Sequence, residues 1–246
     1  MKFNPVSSVN ILMKRSELCP ISLMKRIILL CVLLFGLNST TLRAQRIMGA
    51  AIAGFNATQV DGDEVFGYKK YGLNLGVAAI LPINEKWSVS IENTYTEKGA
   101  HQRRKYLDSL DGSYDLDLNY LEVPVLLHFT DKEIVTFGAG MSWGRLVKIT
   151  EQRNGYEMPG TTLESGIYRS SDLNLLLDLR FRIYQRFHFN ARYAYSIRPI
   201  ATREIIDSKT GKPNIRDQYN GLFSFRIFYV FNEQVSKDSR RNQKTQ

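Results

Sequence analysis

Residues 174–199 read NLLLDLRFRIYQRFHFNARYAYSIRP. In the first half, every second residue is large and apolar: Leu175, Leu177, Leu179, Phe181 and Ile183. Between them stand Asp178, Arg180 and Arg182. After Tyr184-Gln185-Arg186 the alternation restarts. Phe187, Phe189, Ala191, Tyr193, Tyr195 and Ile197 now oppose His188, Asn190, Arg192, Ser196 and Arg198. A period of two is that of a β-strand, whose side chains alternate between two faces. Two architectures produce it. A soluble sheet turns the aromatic face to a core. A membrane barrel turns that face to lipid and encloses the charges in its lumen.

The connections decide between them. Eight period-two segments follow residue 45, at about 46–57, 68–82, 86–100, 114–129, 134–150, 170–184, 187–200 and 217–231. Ile83-Asn84-Glu85, Thr130-Asp131-Lys132-Glu133 and Gln185-Arg186 join them as tight hairpins. The remaining links, about 58–67, 101–113, 151–169 and 201–216, are long. Short and long alternate throughout. Greek-key sandwiches have no reason to do this. An up-and-down outer-membrane barrel does, with short periplasmic turns and longer outer loops. The reading is therefore an all-β, eight-stranded antiparallel up-and-down transmembrane β-barrel over residues 45–231, both ends of the mature chain periplasmic.

The two faces agree with this. One face carries Tyr71, Leu73, Leu75, Val77 and Leu81, and the other Gly72, Asn74, Gly76 and Ala78. A narrow barrel fills its bore with side chains, so small residues on some strands make room for long ones on others. Aromatic residues mark the expected interfaces: Trp87, Phe187 and Phe231 near the turn ends, and Trp143 eight or nine residues beyond. Pro124 cannot donate to a ladder, so a bulge or local break is expected there.

Bulk composition is neutral on the question. Mean hydropathy is −0.25, too polar for a helical membrane protein. Charged residues at 23% are ordinary. The first 44 residues say more. Met24-Lys25-Arg26 precedes an apolar run of 11, Ile27–Leu37, then NSTTLRA. This order predicts a signal peptide cut after Ala44, with residues 1–23 an upstream extension and translation starting at Met1 or Met24. The run is too short for a transmembrane helix. Both cysteines, Cys19 and Cys31, precede the cut, which excludes disulfides and thiolate metal sites from the mature chain. Processing removes six of 33 Lys/Arg and one of 24 Asp/Glu, lowering the formal net charge from +9 to +4. The basic balance is thus no argument for nucleic acid. Beyond Phe231 the tail NEQVSKDSRRNQKTQ (232–246) is polar and expected in the periplasm.

The residues GFN (54–56), YGLNLGVAAILPIN (71–84), WSVSIENTYTEKG (87–99) and above all LNYLEVPVLLHF (118–129) resemble the PorT-like outer-membrane β-barrel family. The resemblance spans about residues 46–231. It implies an eight-stranded barrel in the outer membrane and no shared activity. The family takes its name from a component linked to protein secretion, which makes a role in secretion or outer-membrane biogenesis an alternative. Ending 15 residues beyond the final aromatic departs from the usual pattern.

Glu92, Glu122, Asp178, Arg180, Arg182, Arg192 and Arg226 fall on the inward phase. Charges in a confined lumen must be paired or hydrated. They are read as a salt-bridge network that plugs the bore, and alternatively as the constriction of a narrow pore. Arg103, Arg104 and Lys105 in an outer loop are candidate contacts for lipopolysaccharide phosphates. A lipid-modifying enzyme would need a Ser–His pair, ideally with a carboxylate, near the membrane-facing surface. The sequence carries no HExxH, GxSxG or phosphate loop. The expectation is a non-enzymatic structural, adhesion or binding barrel without metal or cofactor. Its partners would be outer-membrane lipids, lipopolysaccharide, the barrel assembly machinery and other envelope proteins.

Overall fold

The computed structural model describes residues 47–63, 65, 67–103, 112–132, 134–206 and 213–233. The expected signal peptide, Arg104, Lys105 and the tail after Glu233 lie outside them.

Strands follow one another as β1 (Met48–Asp61), β2 (Lys70–Pro82), β3 (Trp87–Gln102), β4 (Tyr114–Asp131), β5 (Val135–Arg153), β6 (Tyr156–Glu157), β7 (Ser171–Tyr184), β8 (Phe187–Ser196), β9 (Ala201–Ile206) and β10 (Pro213–Val230). Eight of them form the wall: β1 to β5, β7, β8 and β10, each antiparallel to its neighbour. β10 then pairs with β1 from Ala50↔Val230 to Asp61↔Tyr219 and closes the ring. Closure gives every wall strand two partners. In hydrocarbon that matters, because each unsatisfied backbone group costs several kcal/mol.

The phase of the strands follows the sequence pattern. Leu175, Leu177 and Phe181 of β7 are exposed, whereas Asp178 and Arg180 are buried in the bore. Leu73, Leu75 and Val77 of β2 and Phe137, Met141 and Trp143 of β5 face outward in the same way. Trp87 packs edge-on against Phe129, with ring centroids 5.1 Å apart. At the same end of the barrel, Tyr229 packs against both Phe187 and Phe231.

Two long connections contain structure that their sequence did not announce. Residues 151–169 hold β6, which pairs with the end of β5. Residues 201–216 hold β9 and the start of β10, which pair from Gln218↔Ala201 to Pro213↔Ile206. Both extensions lie past the apolar band. Their exposed positions mix polar residues with apolar ones, Tyr156 and Ile215 among them, so the regular alternation that marks a lipid-facing strand is absent.

Pro124 behaves as half expected. The β3–β4 ladder has no pairs between Ile91↔Val125 and Thr94↔Glu122, so a local break exists. The register resumes unchanged, because the missing donor affects one edge only. The true bulge lies elsewhere. Tyr120 pairs with Leu146 and Asn119 with Lys148, leaving Val147 as the extra residue. The extra residue is on β5, where it moves the inward phase from Leu146 to Glu151; β4 keeps its phase, and Leu116, Leu118 and Tyr120 build an apolar core with Val60, Leu146, Tyr168 and Ile200.

That core is latched from outside. Arg203 of β9 makes two hydrogen bonds of 2.8 Å to Glu151 of β5. Thr161 donates a third, at 2.7 Å, to the same carboxylate. Tyr168 lies under the Arg203 guanidinium, 4.8 Å from it. Burial pushes the Tyr168 phenol up to about 12.

Spin labels at 177, 179 and 181 are expected to be accessible to oxygen dissolved in lipid, and labels at 178, 180 and 182 not. Reversed accessibility would invert the barrel, and equal accessibility at the two phases would mean that there is no barrel. On the same face, Leu179→Arg should cost about 2–4 kcal/mol of stability, measured by urea unfolding from vesicles.

The lumen as candidate functional site

The inward residues sort themselves by level along the bore. Nearest the turns, Ala50, Ile52, Ala78, Ile80, Phe228 and Val230 form an apolar plug. Arg180 lies over the Phe228 ring, 4.0 Å from its centroid, an arrangement favoured by the quadrupole of the ring.

Above it is a central charge cluster. Arg192 of β8 binds Glu92 of β3 through two nitrogens, at 2.8 and 3.0 Å. Its Nε donates to Asp178 of β7 at 2.7 Å. Arg226 of β10 reaches Glu92 at 3.2 Å, Asp178 at 3.3 Å and the Asn190 carbonyl at 2.5 Å. Asn190 in turn donates to Asp178 at 2.7 Å. Arg180 completes the group, 3.7 Å from Asp178. All five charged side chains are nearly inaccessible to solvent. Three arginines thus face two carboxylates.

Nearer the loops stands a second cluster. Lys98 of β3 bridges Glu122 of β4 at 2.7 Å and Asp172 of β7 at 2.9 Å. Asp172 also accepts from Ser196 at 2.7 Å and from Asn220 at 2.9 Å. Here one lysine faces two carboxylates. The excess charges of the two clusters are equal and opposite.

The single network expected from sequence is therefore two. Glu92, Asp178, Arg180, Arg192 and Arg226 meet. Glu122 does not join them, because the tilt of the strands carries it up to Lys98. Arg182 does not either. It sits at the turn-end mouth, paired with Glu233, which folds back from the tail and lies 3.6 Å from His188. Lys98, Asp172, Asn190 and Glu233 were missed. The first three share the inward parity of Glu92, Asp178 and Arg192, so the signal was present. Only the cross-bore partners were unreadable.

Small residues make this packing fit. A Cβ on Gly138 would lie 2.5 Å from His128 Nδ1. His128 shares a hydrogen bond of 2.7 Å with Ser90. This is the Ser–His pair that a hydrolase would need, but both residues are fully buried in the bore. The nearby Asp178 carboxylate is occupied by Arg192, Arg226 and Asn190. Among the described residues, no group of three or more His, Cys, Asp or Glu is placed to hold a metal. Arg103, the one described member of the outer basic triplet, is exposed. Trp87, Trp143, Phe187 and Phe231 all point away from the bore.

A closed antiparallel ring with an apolar exterior and a charged, filled interior defines an outer-membrane β-barrel. The family model for the outer membrane protein beta-barrel domain matches residues 34–202, and the chain belongs to that family. Its place is the bacterial outer membrane. Among solved structures, it is similar to Ail, the attachment invasion locus protein of Yersinia pestis. Identity is 20%, over 75% of this chain and 98% of that one, with a TM-score of 0.44. It is also similar to OprG from Pseudomonas aeruginosa, at 14% identity over 75% of this chain and 94% of the other, with a TM-score of 0.36. Neisserial surface protein A gives 14% identity over 75% and 96%, with a TM-score of 0.39. A comparison with curated proteins finds no match.

Asp178→Ala would leave three buried arginines facing Glu92 alone. The expected loss is about 3–5 kcal/mol, measured by reversible urea unfolding in vesicles. Adding Arg180→Met should recover part of it, since the surplus cation is then removed. A double variant no more stable than the single would show that Arg180 is not coupled to the cluster.

Proposed function

We propose that the protein is a non-enzymatic, PorT-like barrel with its lumen sealed by side chains, acting as a structural or binding element of the outer membrane. The observation that carries this is the central cluster. Glu92, Asp178, Arg192 and Arg226 come from four different wall strands and meet across the bore with direct hydrogen bonds. Eight strands enclose little more than side-chain space, and here that space is taken up by bonded charges. Function then falls to the outer face and the long loops, which extend outside the cell. The motif LNYLEVPVLLHF, whose inward residues Glu122 and His128 each bind a lumen partner, supports the PorT-like assignment.

A narrow pore is the second reading. Arg180 Nε and Nη2, Gln218 Oε1 and Asn220 Oδ1 are buried and have no hydrogen-bond partner among the described residues. Buried polar groups are almost always satisfied, and bound water at these atoms is what a narrow pore would require.

Planar-bilayer recordings separate the two. The wild type is expected to show no ion conductance, and Arg192→Ala together with Glu92→Ala to produce a leak. Steady unitary currents in the wild type would favour the pore. The non-enzymatic reading predicts that a fluorophosphonate probe does not label Ser90 in the folded barrel. It also predicts that lipid A has the same mass in cells with and without the protein.

A further inference from the structure

Several cations at the loop end of the barrel are matched. Lys70 is paired with Asp115 and Asp117. Arg203 and Arg153 both face Glu151. On the β5–β7–β8 wall the pattern changes. Arg145, Arg169 and Arg198 are exposed, and among the described residues none is paired with a carboxylate. Arg145 reaches only the Ser170 hydroxyl, at 3.1 Å.

The backbone brings the three together. Arg145 is the ladder partner of Ser171. The Leu146 N–H donates to the Ser170 carbonyl, and the Arg169 N–H to the Ile200 carbonyl. The Ile197 N–H donates to the Leu173 carbonyl, setting Arg198 beside the start of β7. Neighbouring strands are about 4.8 Å apart, so the backbone sets the three residues side by side in one patch at the loop end of β5, β7 and β8. Lys148 stands exposed above it on β5.

Directly below is apolar wall. Trp143 pairs with Leu173, and Leu175 and Ile197 continue the face, all four outward. Further down opens a trough of about 770 Å³, floored by Ala139, Leu177, Leu179 and Ala191 and flanked by Phe137 and Tyr193. Ala139 lies six residues below Arg145 on β5, about 20 Å along the strand at about 3.3 Å per residue. At a tilt of about 45° that is about 14 Å of depth, close to half of a hydrocarbon core of about 30 Å. With Trp143, two residues below Arg145, taken as the outer interface, that separation carries the trough to the midplane of the core.

We propose that this wall binds a phosphorylated glycolipid of the outer leaflet, with its phosphates on Arg145, Arg169 and Arg198 and an acyl chain in the trough. Guanidinium groups match phosphate geometry through paired donors. Their lack of carboxylate partners leaves the charge of the patch uncompensated. The depth from the patch to the trough floor is that of one leaflet. The site lies on the wall, so it stands or falls separately from the sealed lumen.

The test is lipid retention. The full-length barrel is loaded with bis-phosphorylated lipid A in phosphatidylcholine nanodiscs, moved to detergent and weighed by native mass spectrometry. The wild type is expected to keep lipid A. The triple variant Arg145→Gln, Arg169→Gln, Arg198→Gln should keep about tenfold less or lower. Arg153→Gln should change nothing, and Ala139→Trp, which fills the trough, should lower retention alone. Heat-modified gel mobility confirms that each variant is folded. If the triple variant fails to insert, the three single variants are read in the same way. Wild-type retention by the folded triple variant, or by all three single variants, would overturn the proposal. So would equal displacement of lipid A by phosphatidylglycerol, which would make the patch a general anionic surface.

Discussion

Hydrocarbon offers no hydrogen bonds, and that constraint orders the rest of the barrel. A sheet in lipid has no spare edge, so β10 must return to β1. Once the ring closes at eight strands, its diameter is set and the bore is too narrow for bulk water. Whatever points inward must then pack against or bond to what points inward from the far side. The charges of the lumen and the glycines that make room for them both follow from closure.

Side-chain bonds also repair the wall where the ladder runs out. The β2–β3 pairing stops at Asn74↔Thr96. Beyond it, Asn56 of β1 donates to the carbonyls of Leu73 and Glu97, and Thr58 donates to that of Gly99. Gly99 has a φ of +145°, and a Cβ there would lie 1.8 Å from the Leu116 carbonyl oxygen. Asn56 is also bonded to Ser224 of β10 at 2.7 Å. One asparagine therefore ties strands from both ends of the chain.

The lipid-facing wall was legible because lipid demands large apolar residues at every second position, and Leu175 to Ile183 supply them. The order of loops and turns was legible because hairpins need few residues. What was hidden depends on stagger. Parity told that Glu92 and Arg192 point inward, but a hundred residues of chain and several strands separate them. Their meeting is set by strand tilt, which no local pattern records. The same tilt moved Glu122 to Lys98. The bulge at Val147 was hidden for another reason: GRLVKITEQR alternates poorly on either side of it, so one extra residue leaves no trace. β9 was hidden because water makes no demand on which face of a strand is apolar.

The opposite excess charges of the two lumen clusters have an electrical consequence. From the loop end, a cation first meets the Lys98 group, where carboxylates outnumber cations, and is attracted. It next meets the arginines around Asp178, where cations outnumber carboxylates, and is turned back. An anion is repelled one level earlier. From the turn end the order reverses and the outcome is the same. Two fixed charges of opposite sign in series make a bipolar junction, and the low-dielectric wall around it strengthens both barriers. On the sealed-lumen reading, such a bore is expected to reject ions of either sign even where water wets it, so electrical tightness does not require a dry lumen.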